Sequence, residues 1–429
     1  MKKKSIAKLA QIAKNSFFRK LGPGLITGAS DDDPSGIATY SQVGAQFGYG
    51  LLWVMLFSFP LMAAIQEICA RIGRVTGAGI AANMRKHYPA SLLYAVVFLL
   101  CTANIFNLGA DIGGMGAAAQ LLVGGPSAVY VLFLAILSLL LQMFIPYKTY
   151  VKYLKWLTAA LFSYVLTAFL ARVDWIHAFR ATFIPSLSWD AKYFLALTGV
   201  LGTTISPYLF FWQASEEAED VRVNSHDRPL KRAPGQAFEN LNRIRLDTYV
   251  GMGLSNLVAW FITLTTAATL HVAGIFDIHT SADAARTLAP LAGRFSSFVF
   301  AAGIVGTGLL AIPVLAGSAA YGVAETFKWR ASLEQPPDHA KKFYAVLVIA
   351  TFIGLGLNFV GIDPIRALFW SAVFNGIVAV PLMIVTMIIS ANPKIMGRFT
   401  LPFPLKVVGW VATLVMLLSS IGLFVALLR

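Results

Sequence analysis

The chain has 429 residues, 57% of them hydrophobic and 13% charged, with 34 lysines and arginines against 20 aspartates and glutamates. Soluble domains carry about a quarter charged residues, so polar side chains are too few to clothe the two or three domains this length would otherwise form. That excludes a soluble enzyme, a disordered protein and a nucleic-acid-binding module, and it turns the net charge of +14 into a question of membrane topology.

Apolar stretches able to cross roughly 30 Å of hydrocarbon recur eleven times, at about 18–48, 50–72, 91–123, 127–145, 150–171, 193–218, 247–271, 296–327, 343–361, 364–391 and 402–428. They are apolar all round, which favours helices over the period-2 alternation of membrane strands. The expected fold class is an all-α membrane protein, a single transmembrane domain over residues 1–429. The longest polar connections are 219–246, 272–295 and 328–342, and none holds a soluble insertion. The first twenty residues are basic and amphipathic, without the apolar core of a cleavable signal.

With a cytoplasmic N-terminus, 27 of the 34 basic residues fall on inner segments. Arg172, Arg180, Lys192, Arg286, Arg294, Arg366 and Arg429 fall outside. This bias, alternating across eleven spans, supports that orientation. Cys69 and Cys101 lie in apolar runs and read as packing residues. Tyr49, Trp53, Trp156 and Trp329 stand near span ends, where aromatic rings settle among headgroups.

The first span reads as two pieces. Residues 21–30 and 37–49 are each too short to cross, and DDDPSG (31–36) lies between them, with Asp31, Asp32 and Asp33 near mid-membrane. Pro34 removes a backbone donor and disfavours helix at Asp33, while Gly36 adds freedom, so an unwound turn with free carbonyls is expected. The sixth span repeats the device at Ser206-Pro207-Tyr208. Interruptions five spans apart point to two inverted five-helix repeats, 18–171 and 193–391, around a central site, with 402–428 as an extra helix. A lone proline kink is ordinary, but three carboxylates at the bilayer centre cost roughly 2.5–3.5 kcal/mol each and require a cation, a partner or water.

A carboxylate cluster beside unwound carbonyls offers hard oxygen ligands, which suit Mg²⁺, Ca²⁺ or Mn²⁺. The six histidines lie in loops or at span ends. Small Gly36 and Ser206 leave room for an ion that keeps part of its hydration shell.

The stretch GPGLITGASDDDPSGIATYSQVGAQFGYGLLW (22–53), with ARIGRVTG (70–77) and GTTISPYLFFWQAS (202–215), resembles the Nramp divalent-metal transporters, and the resemblance runs nearly the full length. It implies the fold of the amino acid–polyamine–cation superfamily and a metal held between broken helices 1 and 6, where the family carries DPGN and MPH. Here Asp33 keeps the aspartate, Gly36 replaces the asparagine, Ser206 the methionine and Tyr208 the histidine. Asp111 keeps one acid of the family's proton path, its second acid is Gly114, and the ninth span has no arginine. This pattern is similar to that of the Nramp-related magnesium transporters, and implies carriage of Mg²⁺ and Mn²⁺ without proton coupling.

By that likeness Asp33 is the direct or water-mediated ligand, and Ser30 and Thr203 offer backbone carbonyls. Asp32 sets the field or holds water, Asp31 faces amides or solvent, and Gly36 and Ser206 supply room. Asn375 either meets hydration water or bonds another helix. Asp111 either sets the field or forms a buried link, and Glu67 reads as a packing partner. Glu216, Glu217 and Glu219 are either an acidic exit vestibule or a solvated helix end. The expected activity is alternating-access import of Mg²⁺, with Mn²⁺ also accepted, by a multi-pass protein of the cell membrane, in the pattern of a bacterial inner membrane. The partners are then the transported ions and the lipid bilayer, with no cofactor, no nucleic acid and no obligatory protein partner evident. The alternatives are a proton-coupled Mn²⁺/Fe²⁺ symporter, a passive cation channel, and an amino-acid or amine carrier of the same fold.

Overall fold

The computed structural model describes residues 27–28, 30–146, 149–150, 160–224 and 226–428, and every regular element among them is helical. Helix α1 (Pro34–Phe47) passes through the 3₁₀ turn Gly48–Leu51 into α2 (Leu52–Thr76). Gly48, at φ 57°, permits that reversal without a Cβ penalty. Then follow α3 (Ala90–Val123), α4 (Ser127–Phe144), α5 (Phe162–Leu170), α6 (Ala191–Thr204) and α7 (Pro207–Val223). Helix α8 (Ala237–Thr266) ends in a wider turn at Ala267–His271. The chain closes with α9 (Ser296–Thr326), α10 (Lys341–Leu357), α11 (Pro364–Ala391) and α12 (Phe403–Leu427).

Eight helical stretches among the described residues are long and apolar enough to cross a membrane, which makes the chain an integral membrane protein. Three points relate these to the eleven expected spans. Residues 34–76 are continuously helical, yet they divide into α1 and α2 at the 3₁₀ turn Gly48–Leu51, the boundary expected at 48–50. Helix α10 has 17 residues, about 25 Å at 1.5 Å per residue, on the short side of a full crossing. In the span expected at 150–171, residues 151–159 lie outside the described residues, as do Trp156, Arg429, residues 21–26 of the first half-helix and the basic segment 2–20.

Both helix starts near mid-chain breaks follow local chemistry. The sequence predicts a turn unwound through Gly36, but helix resumes at Pro34. Proline suits the first helical position, where its missing N–H would be unbonded anyway, and Asp33 before it is a strong N-cap. Pro207 likewise opens α7 behind Ser206.

Helix α1 packs against α3, α6, α8 and α11, so its first turn lies inside the bundle. Small residues bring the backbones together: a Cβ on Gly73 would lie 2.1 Å from the Ala214 carbonyl, and one on Gly202 2.1 Å from that of Ala372. Lipid is as apolar as leucine, so such close packing, rather than hydrophobic exclusion, drives association of membrane helices. The outer helices show their apolar faces instead, Phe133 and Phe144 on α4 and Leu414 and Phe424 on α12 being more than half exposed.

Candidate metal centre

Asp33 is the N-cap of α1 and has three hydrogen-bond donors on its carboxylate. The Ser35 hydroxyl and the Gly36 N–H both donate to Oδ1 at 2.7 Å. The Asn107 amide, from α3, donates to Oδ2 at 2.8 Å. A carboxylate presents about four lone-pair directions, so one on Oδ2 is left for an ion or its water.

The other two acids turn toward α8. Ser255 Oγ lies 3.0 Å from Asp31 Oδ2 and 3.1 Å from Asp32 Oδ1. A hydroxyl has a single proton to donate. With both carboxylates ionised, one of these contacts would therefore set a lone pair against a lone pair, which a proton or a nearby cation relieves. Asp31 Oδ1 makes no hydrogen bond. The three aspartates thus do not form a cage, and among the described residues no three acid, histidine or cysteine side chains converge on a point that would hold a metal.

The α6–α7 break faces them. A Cβ on Gly36 would lie 3.0 Å from Thr203 Oγ1, so α1 and α6 touch at this position, where the sequence places a glycine. Tyr208 crosses the gap, its hydroxyl donating to the Ser30 carbonyl at 2.9 Å. Ser206 does not cap α7. Its hydroxyl turns back onto the carbonyls of Thr203 at 2.7 Å and Gly202 at 3.2 Å. Of the two carbonyls that the family likeness assigns to an ion, that of Ser30 accepts from Tyr208 and that of Thr203 from Ser206.

On the third side stands α3. Asn375 of α11 donates to Asn107 Oδ1 at 3.4 Å, so an amide relay runs from α11 through α3 to Asp33. Asn375 thus makes an interhelical bond through its amide nitrogen, while its Oδ1 has no hydrogen-bond partner. Asp111, one turn beyond Asn107, is fully buried, and neither of its oxygens has a partner. The sequence reading passed over Asn107, Ser35 and Ser255. A signal existed for the first: Asn104, Asn107 and Asp111 lie three and four apart, on one face of an otherwise apolar helix. No pattern marks Ser255.

All these groups are sealed from solvent, with Asp31, Asp33, Thr203 and Ser206 at most 2% exposed and Asp32 at 4%. No lysine or arginine pairs with the aspartates among the described ion pairs. Several carboxylates buried without a fixed counter-charge stay ionised only beside a mobile cation. A pocket of this kind is selective by charge first, and by the coordination its oxygens allow second.

At the acidic end of α7, Glu217 and Glu219 are buried and Glu216 is partly exposed. Glu217 is 0% exposed and pairs with Arg243 of α8 at 2.5 Å. Glu219 accepts from Tyr321 and Ser332, and Glu216 lies 3.3 Å from the same Tyr321 hydroxyl. Tyr321 of α9 and Ser332 after it cover Glu219, while the last residues of α7, Arg222 and Val223, are exposed. Glu67 pairs with Arg71 on its own helix at 3.7 Å.

Residues 24–426 match the Nramp family, natural resistance-associated macrophage protein-like. The chain belongs to the Nramp family. As a member it is a metal-ion transporter of the membrane, not an enzyme. Its fold is similar to that of the Eremococcus coleocola manganese transporter, solved with an aromatic bis-isothiourea compound, at 18% identity, a TM-score of 0.73 and coverage of 94% of this chain and 86% of that one. It also resembles MhsT in complex with L-phenylalanine (15% identity, TM-score 0.55, 94% and 97% covered). A third likeness is the inward-facing conformation of Mhp1 (12%, 0.53, 95% and 90%). At these identities the likeness is one of fold.

Proposed function

We propose that this Nramp protein imports Mg²⁺, and accepts Mn²⁺, by alternating access without proton coupling. The observation that carries the reading is the donor set around the buried aspartates: hydroxyl, amide and backbone groups, with Gly36, Ser206 and Tyr208 where the family pattern has amide, thioether and imidazole. Carboxylate and carbonyl oxygens, with one open lone pair on Asp33 left by its proton donors, suit an ion that gives up water reluctantly. The manganese transporter among the fold relatives supports Mn²⁺ as a second substrate.

In this reading eleven helices span the cell membrane, of a bacterial inner-membrane type, with the N-terminus in the cytoplasm. Residues 18–171 and 193–391 form inverted repeats whose broken first helices meet at Asp33 and Ser206, and 402–428 stands outside them. Asp33 and Asp32 take the ion or its water, with the Ser30 and Thr203 carbonyls. Gly36 and Ser206 make room, and Asp31, Tyr208, Asp111 and Asn375 shape the field around them. Glu217 orders the inner end of α7 through Arg243. Transport needs no proton: two charges crossing 100 mV gain about 4.6 kcal/mol, at roughly 2.3 per charge.

Asp111, buried beside the centre with neither oxygen bonded, favours a second reading, a proton-coupled Mn²⁺/Fe²⁺ symporter. Uptake into proteoliposomes holding a pH dye separates the two. The proposal expects saturable Mg²⁺ uptake, competed by Mn²⁺, with no change in internal pH. Metal-dependent acidification establishes the symporter, and non-saturable flux a channel.

A further inference from the structure

We infer that Ser35 and Asn107 set the denticity of Asp33, and so act as specificity-determining residues that admit a monodentate ion and turn away Ca²⁺. This rests on the reading that Asp33 meets the transported ion.

A bidentate carboxylate grip needs one lone pair from each oxygen, both facing the ion. On Asp33 the first of these is spent. Oδ1 receives the Gly36 N–H and the Ser35 hydroxyl, each at 2.7 Å, and an oxygen has two lone pairs to give. The backbone donor belongs to the helix cap and is present whatever the side chains are. The hydroxyl is the variable one, because a residue without it would leave half of Oδ1 open. On the other oxygen, the Asn107 amide at 2.8 Å takes one of two directions, and Asn375, 3.4 Å behind it, holds that amide in its orientation. One lone pair remains, on Oδ2.

Cations differ in what they make of such a ligand. Ca²⁺ takes six to eight oxygens in flexible geometry and accepts carboxylates bidentately. Mg²⁺ demands a near-octahedral shell, keeps several waters and needs only one or two single carboxylate contacts. The narrow bite of a bidentate carboxylate spoils an octahedron but suits a larger, looser shell. Three donors on Asp33 therefore hold back the contact mode that Ca²⁺ uses and leave the one that Mg²⁺ or Mn²⁺ uses. Burial strengthens the effect: with Asp33 1% exposed, bulk water does not compete for the hydrogen bonds that enforce it.

The test is Ser35→Ala in the full chain, reconstituted in proteoliposomes, with Ca²⁺ added against Mg²⁺ uptake and, in parallel, against Mn²⁺ uptake. Alanine suits the second position of a helix, and the backbone cap from Gly36 persists, so the change removes one hydroxyl only. The expected result is a roughly tenfold gain in Ca²⁺ inhibition relative to the unsubstituted protein, the equivalent of one charge-assisted hydrogen bond exchanged for a metal contact. An unchanged ratio of Ca²⁺ to Mg²⁺ affinity in a folded, transporting variant overturns the inference, since a purely structural Ser35 would move both ions together. Should the unsubstituted protein carry Mn²⁺ but no Mg²⁺, the proposed substrate fails while the denticity argument is still read from Ca²⁺ against Mn²⁺. A measurement free of substitutions stands beside it: pulsed electron paramagnetic resonance of bound Mn²⁺ in D₂O. Retention of about three waters is expected when one Asp33 oxygen joins the Ser30 and Thr203 carbonyls in a six-coordinate shell. Two or fewer, with a bidentate carboxylate, overturns the inference.

Discussion

Replacing Asp33 by asparagine separates two jobs that one carboxylate performs. Asparagine is as good an N-cap as aspartate, so the acceptor bonds from Ser35 and Gly36 at 2.7 Å survive on the amide oxygen. The amide nitrogen must then occupy the place of Oδ2, where it faces the Asn107 donor at 2.8 Å. Flipping Asn107 cures that clash but leaves Asn375 without the acceptor it now has at 3.4 Å. Either way one buried donor is orphaned, at a cost of about 1–3 kcal/mol in stability. The ion loses more. A charge-assisted contact to a carboxylate is worth about 1.5–3 kcal/mol, so Mg²⁺ binding weakens roughly ten- to hundredfold, and a direct metal–oxygen bond would raise the loss further. The assay is Mg²⁺ uptake by proteoliposomes over a range of external concentrations, with thermal unfolding in detergent measured on the same preparation. Asp33→Asn is expected to melt only a little below the parent protein and to require far more Mg²⁺. Asp33→Ala, which also removes the cap, is expected to lose a further 0.5–2 kcal/mol or so of stability. Unchanged Mg²⁺ dependence in a stable Asp33→Asn protein would refute the assignment of this carboxylate to the ion.

Packing and ion pairing supply two further tests. Gly202→Ala places a Cβ 2.1 Å from the Ala372 carbonyl and 2.4 Å from the Gly376 nitrogen. Both are backbone atoms, so α6 and α11 must move apart, with a loss of at least about 1–3 kcal/mol; a monodisperse protein of parental melting temperature would show that the helices are not in this contact. Glu217→Ala strips the partner from Arg243, whose side chain is 18% exposed. Discounted for that exposure, breaking the pair should cost on the order of 3 kcal/mol, and Arg243→Met in the same background should recover much of it, as a melting series would reveal.

The main lines were legible because they are local. Hydropathy alone decides that the chain lives in lipid, since nothing else could hide so much apolar surface. Pro34 behind Asp33 and Pro207 behind Ser206 each suit a helix start, where the missing N–H would be unbonded anyway. Asp33 before Pro34 announces a cap. One local detail came out differently. The turn was expected to run through Gly36, yet the proline and the capping aspartate start the helix at once, and the glycine serves for its small size against Thr203.

What surrounds Asp33 was legible only in part, through the polar face of Asn104, Asn107 and Asp111 on α3. Asn107 lies 74 residues away along the chain, and Ser255 lies 224 residues from Asp31. Whether they reach the aspartates depends on how far each helix is rotated about its axis. A polar stripe reveals that rotation, as on α3, but nothing of the kind marks Ser255 on α8. Only close backbone contacts such as Gly202 on Ala372 set the rotation, and those exist only once the bundle has assembled. The carboxylates are written in the chain; which donors reach them, and how many lone pairs they leave for an ion, is decided by the packing of helices far apart in the sequence.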